Sequence, residues 1–219
     1  RKFITSINGS KLEGEDSRVP QVDGSTLING DPKKNGEKTA TYTHPKTPVP
    51  VANGDIVVYT IRIYNEGETS GYAELVKDNI PEGLEYLPEN ETNISYGWKM
   101  LDVNGQETTN VNNAVSIVTD YLSKANSQSL DSIPENPYSK GYSNLILAYN
   151  SDTMVNGPDS VVVFAAFRVK ENVTNVVENK AQISEDADED GNPIDDVDST
   201  PNEWIDTDDD QDTEKIKVK

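Results

Sequence analysis

The stretch Asp55-Ile56-Val57-Val58-Tyr59-Thr60-Ile61-Arg62-Ile63-Tyr64 decides how the chain folds. Six of its ten residues are β-branched and two are tyrosine, side chains that fit a pleated surface better than a helix. Asn65-Glu66-Gly67 turns it. Ser160–Val169 reads SVVVFAAFRV, apolar on both faces, as in a buried strand. Working outward, two-residue alternation marks strands at Lys2–Ile7, Thr39–His44, Tyr72–Asp78, Leu84–Leu87, Ser95–Val103, Val115–Leu122, Val173–Ser184 and Glu214–Lys219, with Leu145–Tyr149 paired nearby. The run PKTPVP at 45–50 stops one strand, and Ile80-Pro81-Glu82-Gly83 ends another. Many short strands and no βαβ alternation predict an all-β, antiparallel β-sandwich.

One module is expected over 1–219, with inserted regions 8–38 and 88–150 and an acidic loop at 185–214. A small helix around Asn112–Lys124 fits the second insertion. Hydrophobic content of 33 % allows only a thin core, and the net charge is −20. Such a chain does not hold nucleic acid or an anionic membrane through its field. No apolar run approaches the roughly 20 residues that span a bilayer, so no direct membrane insertion is expected. The strand-like start suggests a piece of something longer.

Cysteine is absent, which excludes disulfides, thiolate metal sites and cysteine nucleophiles. His44 is the only histidine, and it precedes Pro45 at a strand end. Ser-His-Asp catalysis and His-rich zinc sites therefore have almost nothing to work with. A β-rich protein outside the cell then needs other staples.

One candidate is calcium. Residues 185–214 hold fifteen acidic side chains in thirty positions and no lysine or arginine. Asp186-x-Asp188-x-Asp190-Gly191 has the alternating oxygen ligands and turn glycine of a calcium loop. Position twelve of that loop is Val197 where an EF-hand needs a bidentate acid, so Asp195, Asp196 and Asp198 would complete another geometry. Asp206, Asp208, Asp210 and Asp212 form a second alternating set. A solvated acidic loop is the alternative reading.

The segments RKFITSING, TATYTHPKTPV, DIVVYTIRIYNEGE, VKDNIPEGLEYLP, VENKAQISED and DVDSTPNEW…DDQD resemble one copy of a tandem repeat of large clostridial-type Gram-positive surface proteins. These belong with the immunoglobulin-like conserved repeat domain of bacterial surface antigens. The matching positions are Asn65 with Gly67, Asp78-Asn79-Ile80-Pro81-Glu82-Gly83, and Asn179-Lys180-Ala181. The resemblance implies an immunoglobulin-like sandwich, an extracellular place on a bacterial cell surface, neighbouring repeats of the same polypeptide as partners, and a stalk or display role. Fold-level analogy names no ligand.

The strand around Asn179 carries a second candidate staple. Val173, Asn175, Val177, Asn179, Ala181 and Ile183 share one mostly apolar face, which places an amide in the core. A buried amide without partners costs a few kcal/mol. Related surface domains join such an asparagine covalently to a lysine of the first strand with a buried acid as proton shuttle. The resemblance gives those roles to Lys2, Asp78 and Asn179. The plain alternative is that Asn179 bonds backbone groups, Asp78 braces its own turn and Lys2 is solvated. Lys2 shares a face with Ile4 while Phe3 and Ile7 lie opposite, and Asp78 shares a face with Val76 and Ile80 but also Glu74.

No enzyme is expected beyond that autocatalytic step. Tyr96, Trp98, Tyr121, Tyr138, Tyr142 and Tyr149 fall in the second insertion. They support an alternative, an adhesin module binding host glycan or protein through 88–150, although strand-face packing also accounts for them.

Overall fold

In the computed structural model, residues 1–127, 143–154, 156–194 and 210–219 are described. Two sheets face each other. The first carries β1 (Lys2–Ile7) between the short β2 (Ser10–Lys11) and β6 (Ile56–Asn65), followed by β12 (Asp159–Val169) and β8 (Leu84–Tyr86). The second runs β10 (Glu107–Thr108), β9 (Lys99–Leu101), β11 (Ser116–Thr119), β7 (Gly71–Asn79), β13 (Val176–Asp188), β14 (Gln211–Val218) and β5 (Val49–Val51). A small separate pair joins β3 (Gln21–Asp23) to β4 (Thr41–Thr43). The expected all-β sandwich is what forms, antiparallel except for one edge pair.

The stretch quoted first is the spine of the first sheet. Val57, Tyr59, Ile61 and Ile63 alternate inward from β6, and β12 answers them with Val163, Ala165 and Phe167. The facing sheet contributes Val76, Ile117, Val177, Ala181 and Ile216. Alternation with one face buried is the rule for such packing.

Four regions differ from the sequence reading. The run at 45–50 does not simply stop a strand: Val49–Val51 pairs in parallel with β14, Ile216 opposite Val49 and Val218 opposite Val51. Pro50 is tolerated because β5 is an edge strand, where one missing donor breaks no central ladder. The 88–150 region is not a bare insertion, since β9, β10 and β11 lie within it and extend the second sheet beyond β7. Its helix is α1 (Glu91–Ser95), capped by Asn90, whose side chain accepts from the Thr92 N–H. The helix expected around Asn112–Lys124 is replaced by one 3-10 turn at Val111–Asn113 and by β11, which carries the β-branched Ile117, Val118 and Thr119 and pairs on both sides. Finally, β13 continues through Glu185, Asp186 and Asp188, so the acidic segment begins as strand rather than loop.

Gly83, the last residue of the Asp78–Gly83 turn, is held by packing. A Cβ built there would lie 2.4 Å from Val177 Cγ2 and 3.5 Å from Val173 Cγ1. Gly83→Ala is expected to overpack this corner and lower stability by about 1–3 kcal/mol, read as a reduced midpoint in urea at unchanged slope. A midpoint equal to wild type would show that the turn yields freely.

Candidate functional site

Lys2, Asp78 and Asn179 come together between the sheets. Lys2 enters from β1, paired with Ile61 of β6. Asp78 and Asn179 belong to adjacent strands of the opposite sheet. Asp78 stands across from Ala181, two residues from Asn179, which places the two side chains diagonally on one face. All three residues have no solvent exposure. The sequence left the facing of Lys2 and Asp78 open, and both point inward.

Local irregularities explain why. On β1 the register shifts between Ile4 and Ser6, so a bulge lets Lys2 and Ile4 face the core while Ile7 keeps only partial burial. Phe3 is buried on the other side of the same strand, where His44 meets it edge-on with ring centroids 6.3 Å apart. Burial lowers the His44 imidazole to about 4, which makes it a neutral packing group. On β13 two register shifts between Ile183 and Asp186 change the phase of its neighbour β7. Val76 and Asp78 therefore face inward while Glu74 is only half-buried and accepts from the Lys124 N–H.

The ammonium of Lys2 contacts Asp78 Oδ2 directly. It also lies 4.8 Å from the centroid of the Tyr59 ring, which itself meets Phe167 edge-on. Asp78 Oδ1, both amide atoms of Asn179 and the Tyr59 hydroxyl are buried without a hydrogen-bond partner. Four such atoms in one chamber are unusual, because leaving a buried polar group unpaired costs about 1–3 kcal/mol.

The electrostatics push toward a neutral pair. Burial lowers the basicity of Lys2, against the pull of Asp78, Asp212 and Glu214. Burial raises Asp78, against Lys2 and the side chain of Asn179. Asn179 thus lies close enough to influence Asp78, yet neither of its amide atoms completes a hydrogen bond. A lysine made less basic, beside an acid made weaker and an unpartnered primary amide, is the arrangement that favours amine-to-amide exchange.

Further residues surround this chamber: Tyr59 and Glu214, which the sequence reading did not single out, and Asp212, which it placed in the second acidic set. Tyr59 supplies its aromatic wall. Asp212 and Glu214 of β14 approach it from the second sheet. Asp212 accepts from the backbone N–H of Lys2 at 2.6 Å and from Lys46 Nζ at 2.9 Å, tying β14 to β1. Glu214 was legible in principle: in TEKIKV it shares its face with Ile216 and Val218, both buried. Its partner Arg18, in the loop before β3, carried no such signal.

The acidic residues are placed as follows. Asp186 and Asp188 lie on β13 opposite Ala73 and Gly71. Asp188 Oδ1 accepts from the N–H groups of Asp190 and Asn192, and Oδ2 accepts from Asn192 Nδ2, so this carboxylate closes its own turn. Asp190 is exposed and Gly191 takes the positive φ of that turn. Asp195, Asp196, Asp198, Asp206 and Asp208 lie outside the described residues. Among the described residues no three acidic or histidine side chains gather as a metal cage.

The aromatics of the 88–150 region are largely structural. Trp98 is buried, and its Nε1 donates to the Phe164 carbonyl at 2.7 Å. Tyr96 packs on Tyr121 and Phe164, with centroids 4.7 and 5.4 Å away. Tyr138 and Tyr142 lie outside the described residues. Trp98 is therefore a core residue and presents no face to a sugar.

No protein family and no curated protein matches the chain. Among solved structures, it is similar to the crystal structure of the group B streptococcus pilus 2b backbone protein, at 16 % identity and a TM-score of 0.31. The match covers 80 % of this chain and 54 % of that one, so the chain spans about half its length.

Proposed function

We propose that this chain is a load-bearing β-sandwich module of a bacterial cell-surface protein, stapled by an amide that Lys2 and Asn179 form with each other. The observation that carries the reading is the chamber itself: an amine, an acid and an unpartnered amide, all fully buried, drawn from opposite sheets. The surface location and the association with neighbouring repeats rest on the sequence motifs around Asn65, Asp78–Gly83 and Asn179. The absence of cysteine accords with a staple of another kind.

The chemistry follows from the contacts. The Lys2 ammonium passes a proton to Asp78 Oδ2, leaving a neutral amine and a carboxylic acid. The amine nitrogen adds to Cγ of Asn179, and the Asp78 proton stabilises the charge that develops on Oδ1. Asp78 then delivers its proton to the departing Nδ2 and takes one in its place from the new C–N nitrogen. The Cγ–Nδ2 bond breaks and ammonia leaves. Lys2 and Asn179 end joined by a secondary amide, and Asp78 is left as the carboxylic acid. The product removes orphaned atoms, since Nδ2 is gone and Oδ1 has Asp78 as a donor.

Intact-mass measurement tests the step. The expected mass is the sequence mass less one ammonia, and a full sequence mass overturns the proposal.

Calcium on the acidic tract is a separate proposal, supported by the density of carboxylates between 185 and 214. Asp188 already closes its turn and Asp212 already holds Lys46, so the ion would be held by other acids of the 185–214 tract. A chelator is then expected to lower the melting temperature. An unchanged melting temperature removes calcium from the account and leaves the amide untouched.

A further inference from the structure

A second carboxylate borders the amide that reacts. Glu214 stands directly opposite Asn179 in the β13–β14 register, on the same face as Ile216, and has no solvent exposure. Two buried acids therefore flank one asparagine and one lysine. Their surroundings differ. Asp78 keeps Oδ1 unpartnered and touches Lys2 with Oδ2. Both oxygens of Glu214 are occupied by Arg18: Nε donates to Oε2 at 3.1 Å and Nη2 to Oε1 at 2.8 Å. The backbone N–H of Lys215 also donates to Oε1, at 2.9 Å. Arg18 is itself buried and anchored, with Nη2 donating to the Thr47 carbonyl at 2.9 Å. It reaches the site from the loop before β3, far from every other participant in sequence.

We propose that Arg18 is a charge mask: its guanidinium fork neutralises and immobilises Glu214, leaving Asp78 as the one carboxylate that exchanges protons with Lys2. The proposal rests on the amide-forming reading of Lys2, Asp78 and Asn179. An arginine stays charged in any surroundings, and its fork matches a carboxylate in two bonds. An unmasked Glu214 would act on Lys2 as a nearby anion and hold it as an ammonium, which is no nucleophile. Glu214 already contributes in that sense to Lys2 and acts on the Tyr59 hydroxyl as well. The charged and titratable groups facing Lys2 are Asp78 from β7, Tyr59 from β6, and Asp212 and Glu214 from β14, with Lys46 balancing Asp212 and Arg18 balancing Glu214. Arg18 is a positioning residue, since it touches neither reacting group.

The test compares wild type, Arg18→Met, Glu214→Gln and the double variant. Intact mass is followed over time after purification, at several pH values, and circular dichroism checks folding. Arg18→Met is expected to form the amide at least about tenfold more slowly, because one unit of pKa changes the neutral-amine fraction about tenfold. Its rate should rise as the pH is raised. The double variant, which removes both charges together, is expected to recover most of the lost rate. A purely structural bridge predicts neither the pH dependence nor the recovery. A folded Arg18→Met that cross-links as fast as wild type overturns the proposal, as does a folded double variant as slow as the single. Should Arg18→Met not fold, Glu214→Gln decides. Freed of the anion, it is expected to cross-link at least as fast as wild type, and slower cross-linking overturns the mask. A wild-type chain of full sequence mass sinks the amide reading and the mask with it, whereas a cross-linked wild type with an indifferent Arg18→Met sinks only the mask.

Discussion

An Asp78→Ala chain is expected to fold and to keep its full sequence mass while the wild type loses one ammonia. Lys2 and Asn179 are both still present in that variant, and burial still favours a neutral amine. What disappears is the group that takes a proton from the attacking nitrogen and returns one to the leaving nitrogen. A positioned acid–base group typically contributes about 10²–10⁴-fold, and a primary amide expels its nitrogen poorly without protonation. No other described carboxylate is in direct contact with the Lys2 amine, because Glu214 is held by Arg18 and Asp212 faces the Lys2 backbone and Lys46. A folded Asp78→Ala protein short of one ammonia would falsify the assignment of Asp78. The measurement is intact mass, taken beside a circular dichroism spectrum that shows the sandwich is formed.

Asn179→Ala should show what the staple does for the fold. The variant keeps the Lys2–Asp78 contact and removes only the second end of the cross-link, along with an amide that has no partner. A bond between residues 2 and 179 closes a loop on the order of 180 residues. By the chain-entropy relation used for disulfides, such a closure stabilises by roughly 5 kcal/mol. For a domain of this size each kcal/mol shifts the melting temperature by about 2–4 °C, so a fall of roughly 10–20 °C is expected. The small cavity left by truncation adds to that fall. A melting temperature within a few degrees of wild type would mean that no cross-link had been lost. The Asp78→Ala protein serves as a check, because it should lose the same entropic contribution by a different route.

The position of the proposed staple would give these effects a mechanical meaning. Lys2 lies on the first strand of one sheet and Asn179 on a central strand of the other. A bond between them ties the two layers through the core. Tension applied through residue 2 would reach β13 through covalent bonds, bypassing the pairs of β1 with β6 and of β6 with β12. The part left to hydrogen bonds would be β14, held between β13 and β5 and clamped by Lys46 to Asp212.

The fold and the chamber are legible in the sequence where the strands are regular. Asn179 was legible because Val177, Asn179 and Ala181 alternate without a bulge, and the three are indeed buried. Lys2 and Asp78 were less legible because each sits beside an irregularity: the shift after Ile4 on β1, and the shifts at Ile183–Asp186 that rotate the face of β7. Period-two reasoning cannot see a bulge, since one extra residue reverses every side chain beyond it. The edge strand at Val49–Val51 was hidden by Pro50 and the prolines before it, since a proline is excluded from a central strand but not from an outer one. The acidic run looked like loop from Glu185 onward because carboxylates rarely mark strands. Here β7 provides backbone partners as far as Asp188, and charged side chains there stay on the wetter positions. Arg18 was out of reach, because a loop residue reveals its partner only through tertiary packing.

One covalent bond, between Lys2 and Asn179, carries the proposed function, and a tryptic peptide map tests it most directly. Cleavage after Arg1, Lys11, Lys170 and Lys180 isolates the segments that carry Lys2 and Asn179. The predicted result is a single branched peptide in which residues 2–11 and 171–180 are joined, lighter than their sum by one ammonia, with fragment ions that place the junction at Lys2 and Asn179. Cleavage after an unmodified Lys2, giving separate linear peptides 3–11 and 171–180 of full sequence mass, would contradict it.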